Sequence, residues 1–227
     1  MHFKSIAKKK KMVKSNDEVP SNVNFDELPE IVALADFPPS CEVVIPTAGQ
    51  LPESCPGDCV VFFEYPFTIG FKFPFSPLVR DFLSLVGVAP GQMLPSFWRI
   101  CWVIGEKTES WEEEFTTADL LSCYDIKRLP GGRMTLRSKP GQKLVNDEGV
   151  NDRGWKTRFF YVKKDSLGEV ENWLISGWNW KGTENFDLSL LSGFIDTFLL
   201  WLLCRFGRGS GRFGFRCCAE VQGSTSS

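Results

Sequence analysis

The sequence predicts a small mixed α+β domain: a short helical unit with a β-hairpin or small antiparallel sheet, flanked by disordered arms. Three observations predict it. Hydrophobic residues make up 43% of the 227, with 20 Phe and 8 Trp, a supply of core-forming side chains that disordered chains lack. Apolar residues recur at helical spacing between Pro77 and Ile104. Two aromatic and β-branched runs, "CVVFFEY" from Cys59 and "RFFYV" from Arg158, have the composition of strands. A chain of 227 residues holds one domain of roughly 100–150 residues with flanks. We place that domain at 58–180, between a basic then acidic, proline-rich mobile arm at 1–57 and an apolar segment with a disordered tail at 181–227.

Seven of the 14 prolines lie in residues 1–58, and one short helix is expected there, around Phe25–Ala35. The strand that begins at Cys59 is extended by "FTIGFKFPF", with Gly70 as a turn or bulge and Phe71, Phe73 and Phe75 alternating onto one face. Ser76-Pro77 then supplies an N-cap and a first-turn proline. Leu78, Phe82, Leu85 and Val86 form one helical stripe, which Gly87 stops. "APGQ" turns the chain. Pro95 starts a second helix, Ser96–Ile104, which is apolar nearly all round except at Arg99 and so belongs inside. These two helices are expected to bring Trp98, Phe82, Leu85 and Ile104 together.

Residues 106–119 form an acidic connection, six acids against Lys107. Thr116-x-x-Asp119 is a capping box with Asp in place of Glu, and opens a helix at Thr117–Asp125. After "PGG", Arg133–Arg137 is expected as a strand. "WKTRFFYVKK" is expected as another, with Phe159 and Tyr161 on one face and Phe160 and Val162 on the other. The two are expected to pair as a hairpin across a loop longer than usual.

Charge is segregated along the chain. Residues 1–14 carry six lysines and no acid, and residues 15–58 carry nine acids and no Lys or Arg. Residues 127–164 carry eleven Lys and Arg against three acids, Asp147, Glu148 and Asp152. The lysine cluster (Lys4, Lys8, Lys9, Lys10, Lys11, Lys14) reads as a nuclear-import signal, a nucleic-acid arm or a solvated terminus. The eight cysteines follow no apolar leader and read as reduced thiols of an intracellular protein. Cys55-x3-Cys59 has the start of a metal-ligand spacing, but no second pair follows, and His2 is the sole histidine, so neither metal nor cofactor is assigned. Residues 188–206, "LSLLSGFIDTFLLWLLCRF", approach a membrane-spanning length with Asp196 near the middle, and leave a membrane segment open beside a buried helix or an aberrant chain end.

Four stretches, in order, resemble one plant family. They are "ADFPPSCEVVIPTAGQ", "GFKFPFSPLVRDFLSLVGVAPGQMLPSFWRI", "DLLSCYDIKR" and "GWKTRFFYV". They look like the gypsy-type transposase domain of plants, or retrotransposon gag-like protein. Gly70, Gly87, Pro90, Gln92, Pro95, Trp98 and Arg99 match its pattern, as do Tyr124, Gly154, Trp155, Arg158 and Phe160; Ser96 stands where the family has Asn. The likeness covers about residues 35–178, and the tail after about 182 departs from it. It implies a transposon-derived origin and partners that are nucleic acid or other element-encoded proteins. It implies no established reaction. The stretch from Gly154 is also similar to the opening strand of pleckstrin-homology domains, but too few residues follow to complete that fold.

No catalytic residue is assigned. The chain has no GxGxxG, no GxxxxGK[ST] and no GxSxG. A metal-dependent transposase would need three converging acids, and the Glu112–Glu114 cluster is most simply a solvated loop. A degenerate product without selected function is a further reading. The functional lead is the basic segment: Arg133, Arg137, Lys139, Lys156, Arg158, Lys163 and Lys164, with Trp155 to stack on unpaired bases. Its rival is a polar sheet face that balances the acidic residues 106–119. The expected function is therefore non-enzymatic assembly or weak, sequence-independent nucleic-acid association.

Overall fold

The computed structural model describes residues 19–111, 114–145, 152, 154–168 and 173–180. The fold is α+β, with two small antiparallel sheets and five α-helices among these residues. Strand β5 (Phe159–Lys163) lies between β1 (Val43–Val44) and β2 (Cys59–Phe63), antiparallel to both. Phe160 faces Phe62 across the ladder and Val162 faces Val60, and all four enter the larger core. Phe159 and Tyr161 point the other way, into a second core with Val61, Phe63, Ala89 and Trp178. This alternation is the two-residue period of a strand with both faces covered, which explains why "FFYV" and "CVVFF" are apolar without a break.

The larger core is dominated by rings. Phe37 meets Phe62 and Phe67 edge-on at 5.4 Å and lies 5.3 Å from Phe73, the offset geometry that ring quadrupoles favour. Phe71, Phe73 and Phe75 are all buried there, though their segment is not a strand: helix α2 (Tyr65–Thr68) interrupts the run after β2. Helix α3 (Pro77–Val86) ends at Gly87, whose φ of 68° is the left-handed conformation that costs glycine least. Leu78, Val79, Phe82, Leu83 and Val86 are its buried residues. Leu85, expected in the stripe, is 43% exposed. Val79 and Leu83 complete an arc that rotates the buried face away from it.

Helix α4 (Pro95–Trp111) runs longer than the expected Ser96–Ile104 and buries Phe97, Trp98, Ile100, Cys101 and Ile104. The link between α3 and α4 is pressed onto β2: a Cβ on Gly91 would stand 2.7 Å from a Val61 methyl and 2.9 Å from the Val61 carbonyl oxygen. Gln92 is fully buried beside it. Its Oε1 accepts from the N–H groups of Ala89 (3.0 Å) and Asn179 (3.1 Å), and its Nε2 donates to the carbonyls of Gly132 (2.8 Å) and Asn179 (2.9 Å). One amide side chain thus satisfies backbone groups from three separate segments, with none of its own bonding capacity wasted in the interior.

Further expectations are corrected. Residues 19–57 are not a mobile arm. Asn24 and Glu27 form a reciprocal capping box ahead of α1 (Leu28–Ala35), Val23, Ile31, Ala35 and Phe37 enter the larger core, and β1 completes the sheet. The prolines and acids of this segment mark an element lying on the surface, but its few apolar side chains anchor it. The strand at 133–137 does not pair with the one at 159–163. It is part of β4 (Met134–Ser138), which pairs with β3 (Tyr124–Arg128) across "LPGGR". Gly131 and Gly132 take positive φ there, and Leu129 N–H reaches the Arg133 carbonyl at 2.8 Å. A short connection costs less closure entropy than the long loop to β5, so the nearer strand takes the partner. Helix α5 (Thr117–Cys123), capped by Thr116 and Asp119 as expected, therefore ends before Tyr124 rather than at Asp125.

The lysine cluster, the "NDEG" turn and residues 188–206 lie outside the described residues. Among the described residues, no helix is long and apolar enough to cross a membrane. The stripe correction gives a direct contrast for urea unfolding of the full chain. Phe82→Ala is expected to cost roughly 3–5 kcal/mol, and Leu85→Ala to change stability by only about 0.5 kcal/mol.

Candidate nucleic-acid interface

The eight candidate residues of the basic segment differ in burial and in what they touch. Arg133 follows the tight turn that opens β4 and is buried. Its guanidinium donates to Glu53 at 3.1 Å and stands 6.0 Å from the ring centre of Trp155. Trp155 in turn meets Phe63 edge-on at 4.8 Å and packs against the second core. The pair expected to hold a phosphate and a base is thus committed to the protein: a cation resting on an aromatic face, with its charge answered by a carboxylate.

Arg158 opens β5 and bridges two elements. Its Nε donates to Glu64 at 2.5 Å, and its Nη1 donates to Glu27 at 3.1 Å. These bonds push the guanidinium pKa further up, Glu64 contributing most. Glu27 is held below its ordinary value by the Asn24 backbone N–H first and by Arg158 next. The protonation states that result are those that make the strongest hydrogen bonds.

Lys139 donates through Nζ to the Leu121 carbonyl at 2.7 Å, a cation placed on the C-terminal turn of α5. Its other neighbour, Asp125, is 4.0 Å away. Lys163 is exposed and lies 3.4 Å from Glu42, a surface pair of little energetic weight. Lys156 and Lys164 are half-buried, and Arg137 is exposed on β4. Arg158 and Lys163 sit at opposite ends of β5, about 17 Å apart along an extended strand.

The partners of these cations were legible only as a block. Glu27, Glu42 and Glu53 all come from the acid-only stretch 15–58, and Glu64 follows β2. Three of the described pairs, Arg133–Glu53, Arg158–Glu27 and Lys163–Glu42, therefore join the acidic N-terminal stretch to the basic stretch 127–164, whereas the sequence sets the acidic residues 106–119 against it as the expected counterpart. An acid-only block and a base-rich block in one chain are the signal that could have revealed this pairing.

Arg99, the exception in α4, donates to Asp152 and, at 3.1 Å, to the Tyr65 hydroxyl. Among the described residues, no group of three or more His, Cys, Asp or Glu is placed to hold a metal. Cys55 and Cys59 are both buried in the second core, and burial pushes the Cys55 thiol up to about 12. Comparison with family models, with curated proteins and with solved structures found no match to this chain.

The Arg158 bridge makes a testable statement. Arg158→Ala should destabilise the full chain by roughly 1.5–3 kcal/mol at pH 7, the range for hydrogen bonds to charged groups. Glu27 has a depressed folded-state pKa, so its contribution is present above its ordinary value of 4.5 and is lost as pH falls through the folded value. The gap between wild type and Arg158→Ala should therefore narrow in urea titrations at acid pH. A gap that stays constant to pH ~3, below the ordinary carboxylate range, contradicts the assignment.

Proposed function

We propose that the chain is a transposon-derived, non-enzymatic assembly module, of the kind the resemblance to the plant gypsy-type transposase (retrotransposon gag-like) family implies. The observation that carries the reading is the internal pairing of charge. Arg133 answers Glu53, Arg158 answers Glu27 and Glu64, and Lys139 caps α5. Cations spent in this way hold the domain together and are withdrawn from phosphates.

The residues that carry the resemblance support the same reading, because each has a task in the fold. Gly87 closes α3, Gln92 joins three backbone segments, Trp98 is buried in the larger core, and Arg99 engages Tyr65 and Asp152. The Tyr124 hydroxyl accepts from the Val145 N–H at 3.2 Å. A motif made of such residues specifies a scaffold, and a scaffold acts through what it binds. A strand-transfer reaction has no trio of acids to support it among the described residues. The N-terminal lysine cluster suits nuclear import, which would place the module beside its element.

A second reading is favoured by one observation: Lys127 and Arg137 are both exposed on the β3–β4 hairpin. Two or three such charges give weak association without sequence preference. Titration of the full chain with single-stranded and duplex DNA at two salt concentrations separates the readings. Assembly predicts no saturable binding near 0.15 M salt, and a log–log salt slope no steeper than about −2 at lower salt. A slope near −3 or steeper, removed by Lys127→Glu with Arg137→Glu while melting is unchanged, would give nucleic-acid binding precedence.

A further inference from the structure

Strand β3 is an outer strand. β4 pairs with one of its edges, and among the described residues no strand pairs with the other. The register decides what that edge offers. Leu129 N–H donates to the Arg133 carbonyl and Lys139 N–H to the Cys123 carbonyl. Positions 123 and 129 thus turn their backbone groups towards β4, as do 125 and 127 between them, because antiparallel ladders alternate. Ile126 falls on the alternate position, where N–H and C=O point away from β4. It is half-buried, its side chain packed against the larger core. Asp125 and Lys127, the residues on either side, are both exposed.

We propose that this edge is a self-association site, and that its partner is a second copy of the chain joined by antiparallel β3–β3 pairing about Ile126. The inference rests on the assembly reading and names its surface and partner. In this pairing Ile126 lies opposite its own counterpart and exchanges both backbone hydrogen bonds with it. Asp125 then falls opposite Lys127 of the second copy, and Lys127 opposite Asp125. These are non-hydrogen-bonded positions, where opposing side chains come closest. Opposite charges there stabilise a sheet and like charges destabilise it.

The same charges oppose particular alternatives. A parallel, in-register pairing sets Asp125 against Asp125 and Lys127 against Lys127. Charges on an exposed edge ordinarily block pairing with other strands. Here they favour this register over those that set Asp125 against Asp125 or Lys127 against Lys127, and it has the two-fold symmetry of a closed dimer. Asp125 stands 4.0 Å from half-buried Lys139 and opposite exposed Arg137 on the same chain, and its own exposure leaves the carboxylate open to a second cation. The shared edge is short, so the dimer is expected to be weak and to depend on concentration.

Sedimentation velocity of the full chain across a concentration series tests this. The wild type should show a reversible monomer–dimer equilibrium. Asp125→Lys alone and Lys127→Asp alone should each raise the dimerisation midpoint by at least ~10-fold, because like charges then face each other. An equimolar mixture of the two variants should regain the wild-type midpoint, since one chain then presents only positive and the other only negative charge at these positions. The double variant should regain it alone. Thermal melting of each variant confirms that it folds. If a single reversal misfolds, the double variant carries the test by itself. Wild type that stays monomeric throughout, single variants that associate as well as wild type, or a mixture and double variant that stay monomeric each overturn the edge. Association indifferent to these reversals leaves the assembly reading standing on another surface. That reading fails separately, on steep salt-dependent nucleic-acid binding.

Discussion

The position of β5 is the constraint on which the rest of the structure depends. A five-residue strand at 159–163 must insert between β1 at 43–44 and β2 at 59–63, about a hundred residues earlier in the chain. Closing that distance is entropically costly, and little local structure offsets it. What offsets it is that both faces of β5 are buried at once. Phe160 and Val162 join the ring cluster around Phe62 and Phe37, and Phe159 and Tyr161 join the second core. The ends of the strand are held as well. Arg158 ties its start to Glu27 and Glu64, and Lys163 N–H reaches the Glu42 carbonyl at its end.

That constraint explains the charge pattern. Residues 15–58 and 127–164 are opposite in sign, and the fold brings parts of them into contact around β5. The pairs vary in weight with their burial. Arg133–Glu53 is the most enclosed, with the Trp155 ring over the guanidinium, whereas Lys163–Glu42 is open to solvent and screened. Arg133, Arg158 and Lys163, which look in sequence like parts of a ligand surface, pair in this fold with acids of the N-terminal stretch on the same chain.

The helical unit was legible because its punctuation is local. Pro77, Gly87 and Pro95 fix starts and stops through fixed or positive φ, and the Thr116–Asp119 box is written in four residues. The two faces of β5 were legible from simple alternation. Strand pairing was not, because a strand carries no mark of its partner. The hairpin at 124–138 hides in a sequence, "YDIKR", whose charges read as a helix end or a loop. The acid-rich N-terminal stretch was misread for a related reason: Val23, Ile31, Ala35 and Phe37 are too sparse to show periodicity, and only tertiary contact reveals that they are enough. For the candidate site, residue types were visible but their commitments were not. Arg133 and Trp155 have the composition of a nucleotide clamp, and only the positions of Glu53 and Phe63 show what they hold.

The central claim is that the acidic N-terminal stretch and the basic C-terminal stretch form one cooperative unit around β5. Native-state amide hydrogen exchange of the full chain tests it most directly. The amide of Asn22 donates to the Thr157 carbonyl at 2.9 Å, Phe73 to Ala35 at 2.7 Å, and Lys163 to Glu42 at 2.9 Å. If the account holds, these three exchange with protection within about 1 kcal/mol of the β2 and β5 amides, as members of one unfolding unit do. Fast exchange at Asn22 and Phe73, with β5 still protected, would show that residues 19–57 open independently and would contradict it.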